Sequence, residues 1–168
     1  MVKPFTVLLF KKQLILFLFW LLFLSWQQVY AQPKDICFSH LDMNDGISAN
    51  TITSIAQDSA GFIWIGGING LQRYDGYHFV SYAHNPGNPG SLATSIVEQV
   101  VVDKFNSVWV LTNLGNIERM NRDGSFKEIW NTKLQSTNSV FSFDNKKELY
   151  ITIYHTVLHY NYEKNRMD

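Results

Sequence analysis

The sequence predicts an all-β fold: a partial β-propeller of about three four-stranded antiparallel blades, the third incomplete, preceded by a helical signal segment. A Trp-centred block recurs at a spacing of 45 residues and then, more weakly, of 41, the range of a four-stranded blade. Within each period, short runs of Ile, Val, Phe, Trp and Tyr are separated by Asp, Asn and Gly, as in a series of hairpins. No helix of useful length fits after the first thirty residues.

Residues 1–31 read as a secretory signal peptide. A basic head ending at Lys11 and Lys12 precedes the unbroken apolar run Leu14–Leu24. That run suits a signal core of roughly 7 to 15 residues better than a bilayer span of about 20. Val29, Tyr30 and Ala31 predict cleavage after Ala31; an uncleaved anchor is the alternative, because Phe5–Phe10 is also largely apolar and the two lysines can snorkel. Either way the body is exported.

Residues 32–50 are expected to hold an opening strand, Ile36–Leu41, and a turn. Blade 1 (51–94) has the runs Ile52–Gln57, Phe62–Gly66, Leu71–Tyr74 and His78–Tyr82, joined by Asp58–Gly61, Ile68–Gly70 and Asp75–Gly76. Asp and Gly tolerate the positive φ of tight hairpins, so consecutive strands are antiparallel neighbours. Blade 2 (95–137) repeats this with Val97–Val102, Val108–Thr112, Ile117–Asn121 and Phe126–Trp130. Blade 3 (138–168) offers Val140–Phe143, Leu149–Ile153 and Val157–Tyr160, and the chain is expected to stop before a fourth strand. Between the first two blades, Asn85-Pro86-Gly87-Asn88-Pro89-Gly90 is read as a surface connector rather than a functional loop.

The repeats align directly. Asp58, Gly61, Phe62, Ile63, Trp64, Ile65, Gly66 and Gly70 stand 45 positions before Asp103, Asn106, Ser107, Val108, Trp109, Val110, Leu111 and Gly115. In the third copy Asp144 matches Asp103, Tyr150 replaces Trp109, and Tyr160-Asn161 stands where the first copy has Tyr74-Asp75.

Composition narrows the function. With 14 basic and 14 acidic residues the net charge is zero, and because Lys3, Lys11 and Lys12 lie in the signal segment the body is weakly acidic. It lacks the basic stripe that displaces counterions from nucleic acid. One cysteine, Cys37, excludes an intrachain disulfide or a multi-cysteine zinc site; it is read as a packed side chain, with pairing between molecules the alternative.

No catalytic, cofactor or metal site is predicted, and the ligand-binding residues are unknown. Gly66–Gly70 joins two strands instead of opening a helix, which argues against a phosphate cradle. Asp42–Gly46 resembles the start of a calcium loop but lacks the completing Glu, so a turn is predicted. His40, His78, His84, His155 and His159 are scattered, and the four-residue spacing of the last two does not form a helical metal pair in a strand. Trp64 and Trp109 recur, which points to packing between blades. Asp58, Asp103 and Asp144 recur likewise and are read as turn formers.

At Asp45-Gly46-Ile47-Ser48-Ala49-Asn50, Gln57–Gly66 and Asn69-Gly70-Leu71-Gln72-Arg73-Tyr74-Asp75-Gly76, the chain resembles the two-component regulator propeller repeats of the periplasmic sensor region of Bacteroidetes hybrid two-component histidine kinases. The resemblance covers Ile36 to about Asn161, specific in the first unit and faint in the third. Gly67 stands where the family usually has Thr, Leu111 replaces a glycine, and Gly115–Asn121 is one residue longer than the family's Gly-Leu-x-Arg-Tyr-Asp. The resemblance implies two large propellers, an immunoglobulin-like module, a membrane helix and a kinase, usually with receiver and DNA-binding domains. Closed propellers need about 4 to 8 blades, so the expectation is an amino-terminal fragment of a larger sensor.

The chain is therefore expected to be a periplasmic, ligand-sensing, non-enzymatic propeller segment, glycan-responsive in the full-length protein and unable to signal alone. An oligosaccharide is the expected ligand, nucleic acid is excluded, and the membrane is met only through the signal segment if it is retained. The alternative is a structural segment that associates with itself or completes a ring with another propeller chain.

Overall fold

The computed structural model describes residues 13, 16–20, 38–133 and 139–168. Residues 1–39 and 40–168 form two compact units. In the first, residues 16–20 are helical and their side chains exposed; the rest of the predicted signal segment, the cleavage site at Ala31, and Cys37 lie outside the described residues. Among the described residues no helix is long and apolar enough to cross a membrane.

One expected strand is not formed. Phe38–Leu41, the described part of the expected opening strand Ile36–Leu41, carries no strand: no neighbouring strand pairs with it, and an unpaired strand gains little in water. The chain instead makes one 3-10 turn, Met43–Asp45. Asp42 Oδ1 accepts from Asn44 N at 2.7 Å and Asp45 Oδ2 from Asp42 N at 2.9 Å, a reciprocal cap. The acidic pair thereby serves the turn.

Three four-stranded antiparallel meanders follow. Sheet 1 holds β1 (Ile52–Gln57), β2 (Ile63–Gly67), β3 (Gly70–Tyr74) and β4 (Phe79–Tyr82). Sheet 2 holds β5 (Val97–Val102), β6 (Val108–Thr112), β7 (Asn116–Met120) and β8 (Phe126–Asn131), and sheet 3 holds β9 (Ser139–Phe143), β10 (Leu149–Ile153), β11 (Thr156–Asn161) and β12 (Arg166–Met167). The sheets do not close into a ring. The last strand is a second correction, since sheet 3 does have a fourth strand, though one of two residues. It pairs Met167 with Tyr160 and Arg166 with Asn161, buries Met167 in a core, and is fastened by Arg166 Nε donating to Asp168 at 2.7 Å. Phe62 and His78 fall just outside their expected strands because their amides donate to Asp58 and Asp75 in the turns.

Two apolar cores lie between consecutive sheets. The first joins Trp64 and Leu71 of sheet 1 to Val97, Val100, Val108, Val110 and Phe126 of sheet 2, with Leu92 of the connector inserted. The second joins Trp109, Leu111 and Ile117 to Phe141, Leu149, Ile151, Tyr160 and Met167. Each Trp thus fills the gap between its own blade and the next. At Gly66 a Cβ would come within 2.6 Å of Val97 Cγ1, which explains why the first sheet has glycine where the second buries Leu111.

Hydrogen bonds also lock the first strands of successive blades. Ser54 Oγ donates to Val100 O at 3.2 Å and accepts from Val100 N at 3.1 Å. Gln99, one period later, accepts from Phe141 N at 2.8 Å through Oε1 and donates to Phe141 O at 3.5 Å through Nε2. In both joints one polar side chain supplies the pairing that a neighbouring strand would give.

Candidate functional site

The turns that follow the first strand of each blade gather at one end of the sheets, and a repeated aspartate builds each of them. Asp58 Oδ1 accepts from Ala60 N and Phe62 N, both at 3.0 Å, while Oδ2 accepts from the Trp64 indole at 2.9 Å. Asp103 repeats this with Phe105 N at 2.9 Å, Ser107 N at 2.8 Å and the Trp109 indole at 2.8 Å. Asp144 keeps the two backbone bonds, to Lys146 N and Glu148 N, both at 2.8 Å, but Tyr150 has no indole N–H to offer. Gly61, Asn106 and Lys147 occupy equivalent left-handed positions, φ 91°, 63° and 59°. These carboxylates are committed to turn and Trp donors, the role their recurrence predicts.

Side chains then tie turn to turn. Asn106 Oδ1 accepts from Ser59 N at 2.7 Å, and the Lys104 ammonium pairs with Glu148. Beneath them is a cavity of about 530 Å³, lined by the strand-end residues Gln57, Val102 and Phe143 and by Asp58, Asp103, Lys104, Asn106 and Lys147 among others. A neighbouring hollow of about 350 Å³ includes Lys104, Phe105, Glu148, His159 and Tyr162. Lys104 Nζ lies 5.1 Å from the Phe105 ring centre and 5.0 Å from that of Tyr162. Burial, first, and the nearby Asp103 push the Tyr162 phenol well above its ordinary value. Chemically, this end offers amide, ammonium, carboxylate and aromatic groups, a set suited to holding a polar ligand.

The histidines do not converge. His78 stands 3.7 Å from Asp75, His84 Nδ1 is 2.7 Å from Leu92 O in the connector, His155 lies in the β10–β11 turn, and His159 packs on Tyr150 with ring centres 4.8 Å apart. Gly67 and Gly70 pair across the tight β2–β3 hairpin. Among the described residues no three His, Cys, Asp or Glu side chains are grouped to hold a metal ion. Sequence reasoning missed Lys104, Asn106 and Glu148; the only signal in the chain was that Asn106 and Lys147 fall at the repeat position of Gly61.

A second buried set grips the connectors. Gln72 Oε1 accepts from Ser48 N at 2.8 Å and its Nε2 donates to Gly46 O at 3.0 Å. One blade later, Glu118 accepts from Ala93 N at 3.2 and 3.1 Å. Burial raises the Glu118 carboxyl to about 7 against the opposing Ala93 N–H, with Glu128 adding to the rise and His84 opposing it.

Residues 46–69 match the family described as two component regulator propeller. Over 63 residues, 38% of this chain and 5% of the relative, the sequence is 33% identical to histidine kinase P4 of Formosa agariphila. The fold is similar to the extracellular domain of the putative hybrid two component system BT3049 from B. thetaiotaomicron, with a TM-score of 0.65 and 20% identity over 77% of this chain and 19% of that one. It is also similar to virginiamycin B lyase from Staphylococcus aureus, with a TM-score of 0.51 and 15% identity over 67% of this chain and 39% of that chain. The chain therefore spans a small part of these proteins, and its sheets form a partial propeller in which residues 46–69 match the two component regulator propeller family.

Proposed function

We propose that this chain is part of the exported sensor region of a hybrid two-component system, and that the cavity at the turn end of its blades receives an oligosaccharide. The observation that supports this best is the regulator propeller match at residues 46–69 in blades whose first-strand ends border a half-open cavity lined by amide, charged and apolar side chains, Phe143 among them. An aromatic face with flanking amides and charges suits a sugar ring, which is apolar on one face and hydroxylated at its edge. Export to the periplasm fits the amino-terminal segment and the extracellular neighbours. Signal output belongs, on this reading, to kinase domains of a longer protein, and the chain itself has no enzymatic part in it.

The test is calorimetric titration of the full chain with a panel of neutral and acidic oligosaccharides. One should bind, and Phe143→Ala should weaken it by at least about tenfold, about 1.4 kcal/mol. Absence of binding across the panel, or binding untouched by that substitution, overturns the reading.

A second reading, self-association or pairing with another propeller chain, is favoured by the outer face of sheet 1. Ile55 there is 64% exposed, whereas its repeat equivalent Val100 is 1% exposed between sheets 1 and 2. That contrast marks a surface shaped to be covered.

A further inference from the structure

Blades 1 and 2 repeat a stacked pair across their middle strands: Arg73 stands opposite Trp64, and Arg119 opposite Trp109. The Arg119 guanidinium lies 5.6 Å from the Trp109 ring centre, and its Nη1 donates to Tyr160 Oη of the next blade at 2.8 Å. Tyr160 in turn bonds to Asn165, so the second gap between blades is closed by a finished polar chain.

The first gap is not finished. Arg73 lies 4.6 Å over the Phe62 ring and 5.9 Å from that of Trp64, yet its Nε is buried without a hydrogen-bond partner. Among the described residues no hydrogen bond or ion pair reaches its guanidinium. The repeat explains why: Tyr160 falls at the position of Met120, and a thioether is only a weak acceptor. In place of a phenol there is a groove of about 470 Å³ between the blades, bordered by Arg73, Phe105, Asn106, Met120 and Arg122. Asp58 also borders it, but its oxygens already accept from two backbone amides and the Trp64 indole. Arg122, in the β7–β8 turn, brings a second guanidinium to the same groove.

We propose that this groove binds an oxyanion, a carboxylate or sulfate group, forked onto the Arg73 guanidinium with Arg122 assisting. The planar guanidinium matches such groups bidentately, and its stacking on Phe62 fixes the plane in which they are met. Binding here is separate from sugar binding at the turn end, because the anion is held by Arg73 and Arg122, neither of which lines the Phe143 cavity.

The test is a titration of the full chain with sodium sulfate, against sodium chloride at matched ionic strength, followed by NMR at the arginine Nε–H groups. A second titration with sodium acetate separates the two oxyanions. Saturable movement of Arg73 Nε–H, with Arg119 unmoved, is expected. Met120→Tyr, which builds the closure present between blades 2 and 3, should weaken binding by at least tenfold while leaving the cation in place, and Arg73→Gln should do the same. Should Met120→Tyr fail to fold, Arg122→Gln at the exposed turn replaces it, with about threefold weaker binding expected. No saturable movement with either anion, equal movement at Arg119, or affinity unchanged by the substitutions overturns the proposal; neutral oligosaccharide binding at the turn end is independent of all three results.

Discussion

At Glu118 a carboxylic acid sits where the preceding blade has the amide Gln72, and both hold a connector in place. The folded carboxyl, raised to about 7 from an ordinary 4.5 by burial and by Glu128, keeps its proton through a pH window in which the unfolded chain has released it. Stability is therefore greatest below the lower value and falls as pH rises through that window, by on the order of 3 kcal/mol. Glu118→Gln should flatten this slope and leave the chain more stable at pH 8, as chemical denaturation at a series of pH values would show. Asp103 gives the second residue-scale expectation. Asp103→Ala strands the Trp109 indole and two backbone amides, and should cost about 2 to 4 kcal/mol, since each buried donor left unsatisfied is expensive. The turn role of Asp103 was legible because it recurs with the Trp. The Lys104–Glu148 contact was not, because partners 44 residues apart leave no local mark on either.

The strands could be read at the scale of elements wherever a short segment rich in Ile, Val, Leu, Trp and Tyr lay between turn formers. Ile52–Gln57, Val97–Val102, Val108–Thr112 and Leu149–Ile153 stand as expected to the residue. The two corrections have opposite causes. Ile36–Leu41 has strand composition, but its described part finds no strand to pair with; Arg166–Met167 has no strand composition, yet an adjoining edge, a φ of 53° at Asn165 and the Asp168 carboxylate bring it into register. Met167→Ala should therefore cost about 2 kcal/mol or more, in the range of buried Met truncations, measured by thermal unfolding. Sheet 1 offers a converse test. Gly66→Ala should destabilise by about 1 to 3 kcal/mol through overpacking against Val97, and Val97→Ala in the same chain should recover part of that loss.

For the whole molecule, the apolar faces decide behaviour in solution. Ile52 and Ile55 on one outer face, and Val157 on the far sheet, are exposed where their repeat equivalents Val97, Val100 and Ile117 are buried, and Val140 adds to the far surface. Together with unpaired strand edges, such surfaces favour association. The full chain is expected to self-associate in sedimentation experiments, and Ile55→Asp should shift it toward monomer; a monodisperse monomer at high concentration would contradict this. The propeller class was legible from the Trp-centred repeat and the hairpin pattern within each period, whereas the Arg73 groove was not, because it arises from one methionine whose significance emerges only beside Tyr160.

Ser54 and Gln99 each fasten one blade to the next, and the third place in that series is Val140, a hydrocarbon. Any blade laid against sheet 3 meets no latch there, only grease. Of these three seams it is the one without a clasp, so strain, denaturant or a pulling force should part the third before either of the first two lets go.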